Sequence, residues 1–120
     1  MKTKLDIAKD PETDAATLLT LARDDNPEVR WRVMRHPNAT PEILMIGAKD
    51  KVFGVRLEVM RHPNTPPEIL MIGAGDEEWN VRWAVMLHPN ATPDILKIGV
   101  KDEDTDVRWG DEIGLKRKEV

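Results

Sequence analysis

Three stretches of this chain carry nearly the same order of apolar and polar positions. Val29 to Asp50 reads VRWRVMRHPNATPEILMIGAKD, Val55 to Asp76 reads VRLEVMRHPNTPPEILMIGAGD, and Val81 to Asp102 reads VRWAVMLHPNATPDILKIGVKD. Each copy begins 26 residues after the one before it, a period that marks an array of stacked supersecondary units. Within a copy the apolar positions form two clusters at helical spacing, split by a His-Pro-Asn turn. The first helix starts at Asn26-Pro27-Glu28, an N-cap residue followed by proline at the first helical position and an acid in the first turn. It ends at His36, because Pro37 disfavours helical geometry in the residue before it and cannot extend the hydrogen-bond ladder. The second helix starts at Thr40-Pro41-Glu42, a signal repeated at Pro66-Pro67-Glu68 and Thr92-Pro93-Asp94. It ends around Ala48 to Asp50, with Gly75 marking the stop in one copy. Helices of about eight to ten residues are marginal alone, so the copies must stack.

The wheel positions predict how they stack. In the second helix Ile43, Leu44, Ile46 and Ala48 surround most of the axis, which predicts burial on nearly every side. Gly47, Gly73 and Gly99 recur there, which predicts close approach of a neighbouring backbone. In the first helix Val29 and Val33 share a face, and Met34 and Trp31 extend the apolar arc. Arg30 falls in the middle of that arc, as do Arg56, Arg82 and Arg108. A buried charge left unpaired costs several kcal/mol, so each arginine needs a partner. The aspartate six residues before each one, Asp24, Asp50, Asp76 and Asp102, repeats with it. This predicts a structural ladder of Asp-Arg pairs tying successive repeats. A ligand-binding arginine stripe is the alternative, but packing already accounts for the position.

The two ends depart from the pattern. Residues 1–10 are polar apart from Leu5, Ile7 and Ala8, and read as a short cap or a partly ordered arm. From Asp10 the register is visible, with Asp14 to Asp24 lying 26 residues before Thr40 to Asp50. Thr17 and Thr20 stand where later copies have isoleucine, so this half-repeat is degenerate. After Arg108, Asp111 and Glu112 replace valine and methionine and Gly114 replaces the histidine, the polar outer surface of a terminal cap. Lys116 to Val120 reads as an exposed tail. The expected organisation is a single repeat domain over 1–120: an N-terminal cap and degenerate half-repeat (1–24), repeats at 25–50, 51–76 and 77–102, and a C-terminal cap and tail (103–120). Caps at both ends predict a complete small array, about four two-helix repeats in all.

Composition narrows the function classes. With 22 acidic against 18 basic side chains the net charge is -4, which argues against a general attraction to nucleic acid. There is no cysteine, which excludes disulfides, thiolate zinc sites and cysteine-ligated clusters. The N-terminus has no apolar run fit for a signal peptide and no stretch approaches a membrane span, so the expected setting is cytoplasmic, with no membrane contact. Asn38-Ala39-Thr40 and Asn90-Ala91-Thr92 are then helix-start punctuation and not glycosylation acceptors.

Written as a pattern, the repeat is D-x(4)-V-R-x(2)-V-x(2)-H-P-N-x(2)-P-E-I-L-x-I-G-A. It resembles the leucine-rich repeat variant family in Asp50, Val55-Arg56, His62-Pro63-Asn64, Pro67-Glu68-Ile69-Leu70 and their copies, over roughly residues 10 to 110. The resemblance implies an all-α fold, a right-handed α-solenoid of paired short helices, one of which can be 3₁₀, with no β-sheet. The period of 26 is a couple of residues longer than is usual in the family, which places the extra residues in the loop around 51–54. Glycine also stands where the family usually has leucine in the second helix. Some members carry an iron-sulfur domain, whose cysteines this chain lacks.

Catalytic and metal chemistry find little support. His36, His62 and His88 occupy equivalent places in successive layers, and helices pack about 8–10 Å apart, so they form a row that cannot converge on one ion with bonds of about 2 Å. They read as helix-end caps, bonding the last carbonyls or the following Asn turn. There is no serine, Thr40 and Thr92 are N-caps, and no glycine-rich phosphate loop occurs. The expectation is no enzymatic activity, no cofactor and no metal.

Binding is where the copies disagree with one another. Arg32, Glu58, Ala84 and Gly110 form one variable row of the first helix, and Arg35, Arg61, Leu87 and Ile113 the next. In the loop before it Phe53 and Trp79 occupy equivalent places, either as an exposed aromatic ridge or folded back on the neighbouring repeat. Trp31, Trp83 and Trp109 alternate with Leu57 and read as core or groove lining. Residues 29–54 hold five basic and two acidic groups and residues 55–80 two basic and five acidic. This alternation speaks against the continuous basic stripe that a phosphate backbone needs. A patch of Arg32, Arg35 and Arg61, extended by Lys49 and Lys51, could receive an acidic protein segment. The expected function is a non-catalytic protein-interaction or scaffold module, with Arg32, Arg35, Phe53, Glu58, Arg61, Trp79 and Leu87 as candidate partner-binding residues and a monomeric state. The alternative is a nucleic-acid-binding repeat protein using the arginine patch.

Overall fold

The start signals act where the sequence places them. In the computed structural model, which describes residues 1–108 and 110, Asn26 accepts from the Glu28 amide. Thr40 and Thr92 cap likewise, through the amides of Ile43 and Ile95. The helices are α1 (Lys4–Lys9), α2 (Ala15–Leu21), α3 (Pro27–Arg35), α4 (Pro41–Ala48), α5 (Phe53–Arg61), α6 (Pro67–Ala74), α7 (Trp79–Leu87) and α8 (Pro93–Gly99). Residues 105–108 are helical again. No strand occurs among the described residues, and both helices of every pair are α, with no 3₁₀ member. Phe53 and Gly54 open α5, so the loop expected at 51–54 is shorter than the sequence suggests.

α1, α3, α5 and α7 pack in succession as one layer. α4, α6 and α8 do so as the second, which α2 opens against α1 and α3. Between the layers Val33, Met34, Val59, Met60, Val85 and Met86 meet Ile43, Leu44, Ile69, Leu70, Ile95 and Leu96, all of them buried. The stack measures 50 × 27 × 17 Å. Residues 1–10 are not an arm: Thr3 and Asp6 close a capping box around α1, and Ala8, 26 residues before Met34, is buried in the same layer.

Two packing expectations are corrected. The second helices bury one side only, through Ile43, Leu44, Gly47 and Ala48 in α4, their copies in α6, and Ile95, Leu96 and Gly99 in α8. On the other side Met71, Ile72 and Ile98 are exposed, and Met45 and Ile46 are half-buried. Gly47 and Gly73 are also not there for a backbone. A Cβ at Gly47 would lie 2.4 Å from Met34 Sδ and 2.7 Å from Val59 Cγ2, and one at Gly73 2.5 Å from Met60 Sδ. The space is taken by first-helix side chains, because methionine and valine fill the layer interface that a larger residue would occupy from the other side.

The arginine ladder exists with a different pairing. Arg30 Nε donates to Asp50 Oδ2 at 2.7 Å and Nη2 to Asp50 Oδ1 at 3.3 Å, while Nη1 donates to the backbone carbonyl of Asp24 at 2.8 Å. Arg56 treats Asp76 and the Asp50 carbonyl in the same way, and Arg82 treats Asp102 and the Asp76 carbonyl. The carboxylate partner is therefore 20 residues ahead, and the aspartate six residues behind contributes its carbonyl. The reason lies in the loop: each aspartate also accepts an amide two residues on, as Asp24 does from Asn26, Asp50 from Val52 and Asp76 from Glu78. That turn presents the carboxylate to the preceding repeat. Asp24 meets Lys4, 26 residues before Arg30, at 2.9 Å. Arg108 donates to the Asp102 carbonyl and to Thr105. Burial pushes the Asp102 carboxyl up, but the Arg82 guanidinium and the Asp104 amide outweigh it and hold it below the usual range.

A second ladder runs through the histidines. His62 Nε2 lies 2.9 Å from the carbonyl of His36 and His88 Nε2 2.7 Å from that of His62, while His36 reaches the carbonyl of Asp10. In each ring Nδ1 accepts the amide of the asparagine two residues on. An amide can only donate, so Nδ1 carries no proton and Nε2 is the donor. The Asn turn was legible from sequence, whereas the link to the preceding repeat was not. Burial pushes the His88 pKa down, its bond to the His62 carbonyl opposes this, and the neighbouring His62 ring adds to the lowering.

Candidate functional site

Residues four apart on a helix lie on one face, which sorts the first-helix layer into rows: Trp31 with Arg35, Phe53 with Leu57 and Arg61, and Trp79 with Trp83 and Leu87. Phe53 and Trp79 are 43% and 45% exposed, and Trp83 is exposed too. Both aromatics sit at the first position of their helices and not in a preceding loop. Val52 and Glu78, which precede them, make no side-chain cap. Trp83 is therefore not core, and with half-buried Trp31 and Leu57 it continues an aromatic face across the layer. Trp109 and Ile113 lie outside the described residues.

The chemistry of this face changes along the stack. In α3 the guanidinium of Arg32 lies 4.9 Å and that of Arg35 4.6 Å from the Trp31 ring centroid, within cation-π range. Arg32 Nε is buried without a hydrogen bond, so the ring is its neighbour in place of an acceptor. Glu58 stands 3.9 Å from Arg35 and 3.8 Å from Arg61 with its side chain only 13% exposed, a carboxylate lodged between two cations of adjacent repeats. In α7 the row is uncharged: Trp79, Trp83, buried Ala84 and half-buried Leu87. The face thus grades from arginine-clasped tryptophan to bare aromatic surface. Of the sequence candidates, Arg32 and Arg35 stand against Trp31, Glu58 links Arg35 to Arg61, and Phe53, Trp79 and Leu87 share the same layer. Lys49 and Lys51 are not part of this cluster and line a groove elsewhere.

That groove is an open depression of about 960 Å³ on the second-helix side, lined by Arg23, Glu42, Met45, Ile46, Lys49 and Glu68 among others. None of the candidate partner-binding residues borders it. The sequence reading missed it by treating the second helix as buried all round. The available signal was Glu42 and Lys49 at either end of the apolar segment, seven residues apart and so on one face with Met45 and Ile46.

No cluster of three or more metal-ligating side chains occurs among the described residues, and no helix among them is long and apolar enough to cross a membrane. No curated protein matches the chain. Residues 3–45 match the family model described as Leucine Rich Repeat Variant domain, a span that runs from the α1 cap into α4 and contains the Lys4–Asp24 pair and the His36–Asp10 contact. The family to which the Asp, Val-Arg, His-Pro-Asn and Pro-Glu-Ile-Leu pattern pointed is thus the one whose model residues 3–45 match.

Proposed function

We propose that this chain is a cytoplasmic, non-catalytic protein-interaction or scaffold module, a single repeat domain that binds its partner on the outer face of the first helices. The observation that carries the reading is the exposure of Phe53 and Trp79 on a layer that also displays Trp83, Arg35 and Arg61. Tryptophan and arginine dominate the energetics of protein interfaces, and rigid aromatics lose little entropy on binding. Glu58 between Arg35 and Arg61 favours a protein over nucleic acid, because it offsets the charge that phosphates would need.

The test is a tagged capture from the source cells' lysate, with and without nuclease, comparing the native chain with Phe53→Ala/Trp79→Ala. A protein captured through nuclease and high salt by the native chain, and lost with the double variant at unchanged helicity, supports the reading. Capture that disappears with nuclease, or that the variant retains in full, refutes this site.

A further inference from the structure

The second-helix side carries its own pattern, separate from the face above. On each of these helices the positions i, i+3, i+4 and i+7 point outward, and they hold an acid, two central residues that are mostly apolar, and a base or a small residue. The acids Glu42, Glu68 and Asp94 are exposed at the helix starts, and Arg23, Lys49 and Lys101 are exposed at the helix ends. Between them run Ile46, Ile72 and Ile98 beside Met45 and Met71, with Ile72, Ile98 and Met71 exposed. Seven residues of helix span about 10 Å. The face is therefore an apolar stripe along the stack, with an acidic row on one flank and a basic row about 10 Å away on the other.

Such a face is its own complement in one arrangement. A two-fold axis lying along the stripe, parallel to the stack, turns a second copy so that its basic row meets the acidic row of the first at α4 and α8, while at α6 Glu68 meets Gly75. Glu42 then faces the second copy's Lys49, Asp94 faces its Lys101, and the isoleucines meet along the axis. The other two-fold, along the second-helix direction, sets acids against acids and bases against bases, and is repelled. Lys97 interrupts the methionine row at α8, so the contact centres on α4 and α6. We propose that the second-helix face is a self-association surface on which two copies of this chain pair about an axis parallel to the stack, Glu42 and Asp94 of each copy set against Lys49 and Lys101 of the other. The interface is isologous, as closed dimers require, and leaves the aromatic face of both copies open.

The test is sedimentation velocity from about 1 µM to about 1 mM, a range that covers weak association, with helicity checked by circular dichroism. The native chain should shift from monomer to dimer with concentration, and Ile72→Glu should weaken that shift at least tenfold. Reversing the acidic row alone, Glu42→Lys with Asp94→Lys, should weaken it similarly. Adding Lys49→Glu and Lys101→Glu to that variant exchanges the two rows, so the four-fold variant should again dimerise with itself while a fluorescent copy of it fails to pair with the native chain. A native chain that stays monomeric throughout overturns the proposal and leaves the stripe to a foreign amphipathic segment. Dimers indifferent to Ile72→Glu overturn it too, as does a row-exchanged variant that pairs with the native chain in preference to itself.

Discussion

Gly47→Ala tests the layer packing most sharply, because two opposing effects can be sized. Alanine is favoured over glycine within a helix by about 1 kcal/mol. Against this, the new methyl would sit 2.4 Å from Met34 Sδ, 2.7 Å from Val59 Cγ2 and 2.8 Å from Met34 Cγ, where carbon contacts relax to about 3.5–4.0 Å. Met34 is flexible but fully buried, and Val59 is fully buried and stiff about χ1. Overpacking of this kind costs about 1–3 kcal/mol, and with both neighbours fully buried the cost lies toward the upper end, so the net effect is a loss of up to about 2 kcal/mol. For a domain of this size that lowers Tm by up to about 10 °C. Gly54→Ala is the control: nothing lies within 4 Å of its added Cβ, and it should raise stability by about 0.5 kcal/mol. Thermal melts followed at 222 nm measure both. A Val59→Ala companion should make room, so the double variant should lose less than the sum of the singles, by about 1 kcal/mol of coupling. A Gly47→Ala chain that melts at or above the native temperature would refute the packing argument, since propensity would then have outweighed the clash.

The ladder makes an asymmetric prediction. Asp50→Ala strands the buried Arg30 guanidinium and should cost about 3–5 kcal/mol, whereas Asp24→Ala removes the exposed Lys4 contact, leaves the carbonyl that Arg30 uses, and should cost far less. Equal shifts in urea midpoint would restore the pairing with the aspartate six residues behind. The His88 pKa is lowered by burial, so the unfolded chain binds the proton more tightly; stability is fully present above the ordinary histidine value of about 6.5 and is lost as pH falls below it. Asp102, also lowered, adds a further loss below about pH 4. Urea midpoints flat between pH 8 and pH 5 would contradict the histidine part.

Most of the fold was legible because its signals are local. Asn26, Thr40, Thr92 and the prolines beside them act within one turn of chain, and the apolar pattern recurs with each period. The ladder pairing was not legible, and the reason is general to repeats. A spacing of six behind and a spacing of 20 ahead differ by 26, the repeat period, so the sequence identifies a contact only up to a shift of one copy. The turn that accepts the Val52 amide at Asp50 settles which copy the carboxylate faces, and that turn is a matter of backbone geometry. The histidines carry the same ambiguity, resolved by rings that reach the previous copy's carbonyl.

Legibility of the two surfaces divides along a different line. On the first helix, polar and aromatic residues vary between copies while Val29, Val33, Met34 and their equivalents do not, so composition alone separates outside from inside. On the second helix both sides are apolar, and a wheel cannot tell a buried isoleucine from an exposed one. Ile43 and Ile46 differ only in that Ile46 shares its face with Glu42 and Lys49, and that pair of charges marks the solvent side. The energetic reason is that a charged side chain cannot follow its neighbours into the core without a partner, whereas exposing an isoleucine costs only about 1.5–3 kcal/mol of forgone burial. In a helix apolar all round the charges at its ends therefore fix its orientation. Here they leave Met45, Ile46, Met71, Ile72 and Ile98 on the outer side, the surface that the proposed pairing of two copies would cover.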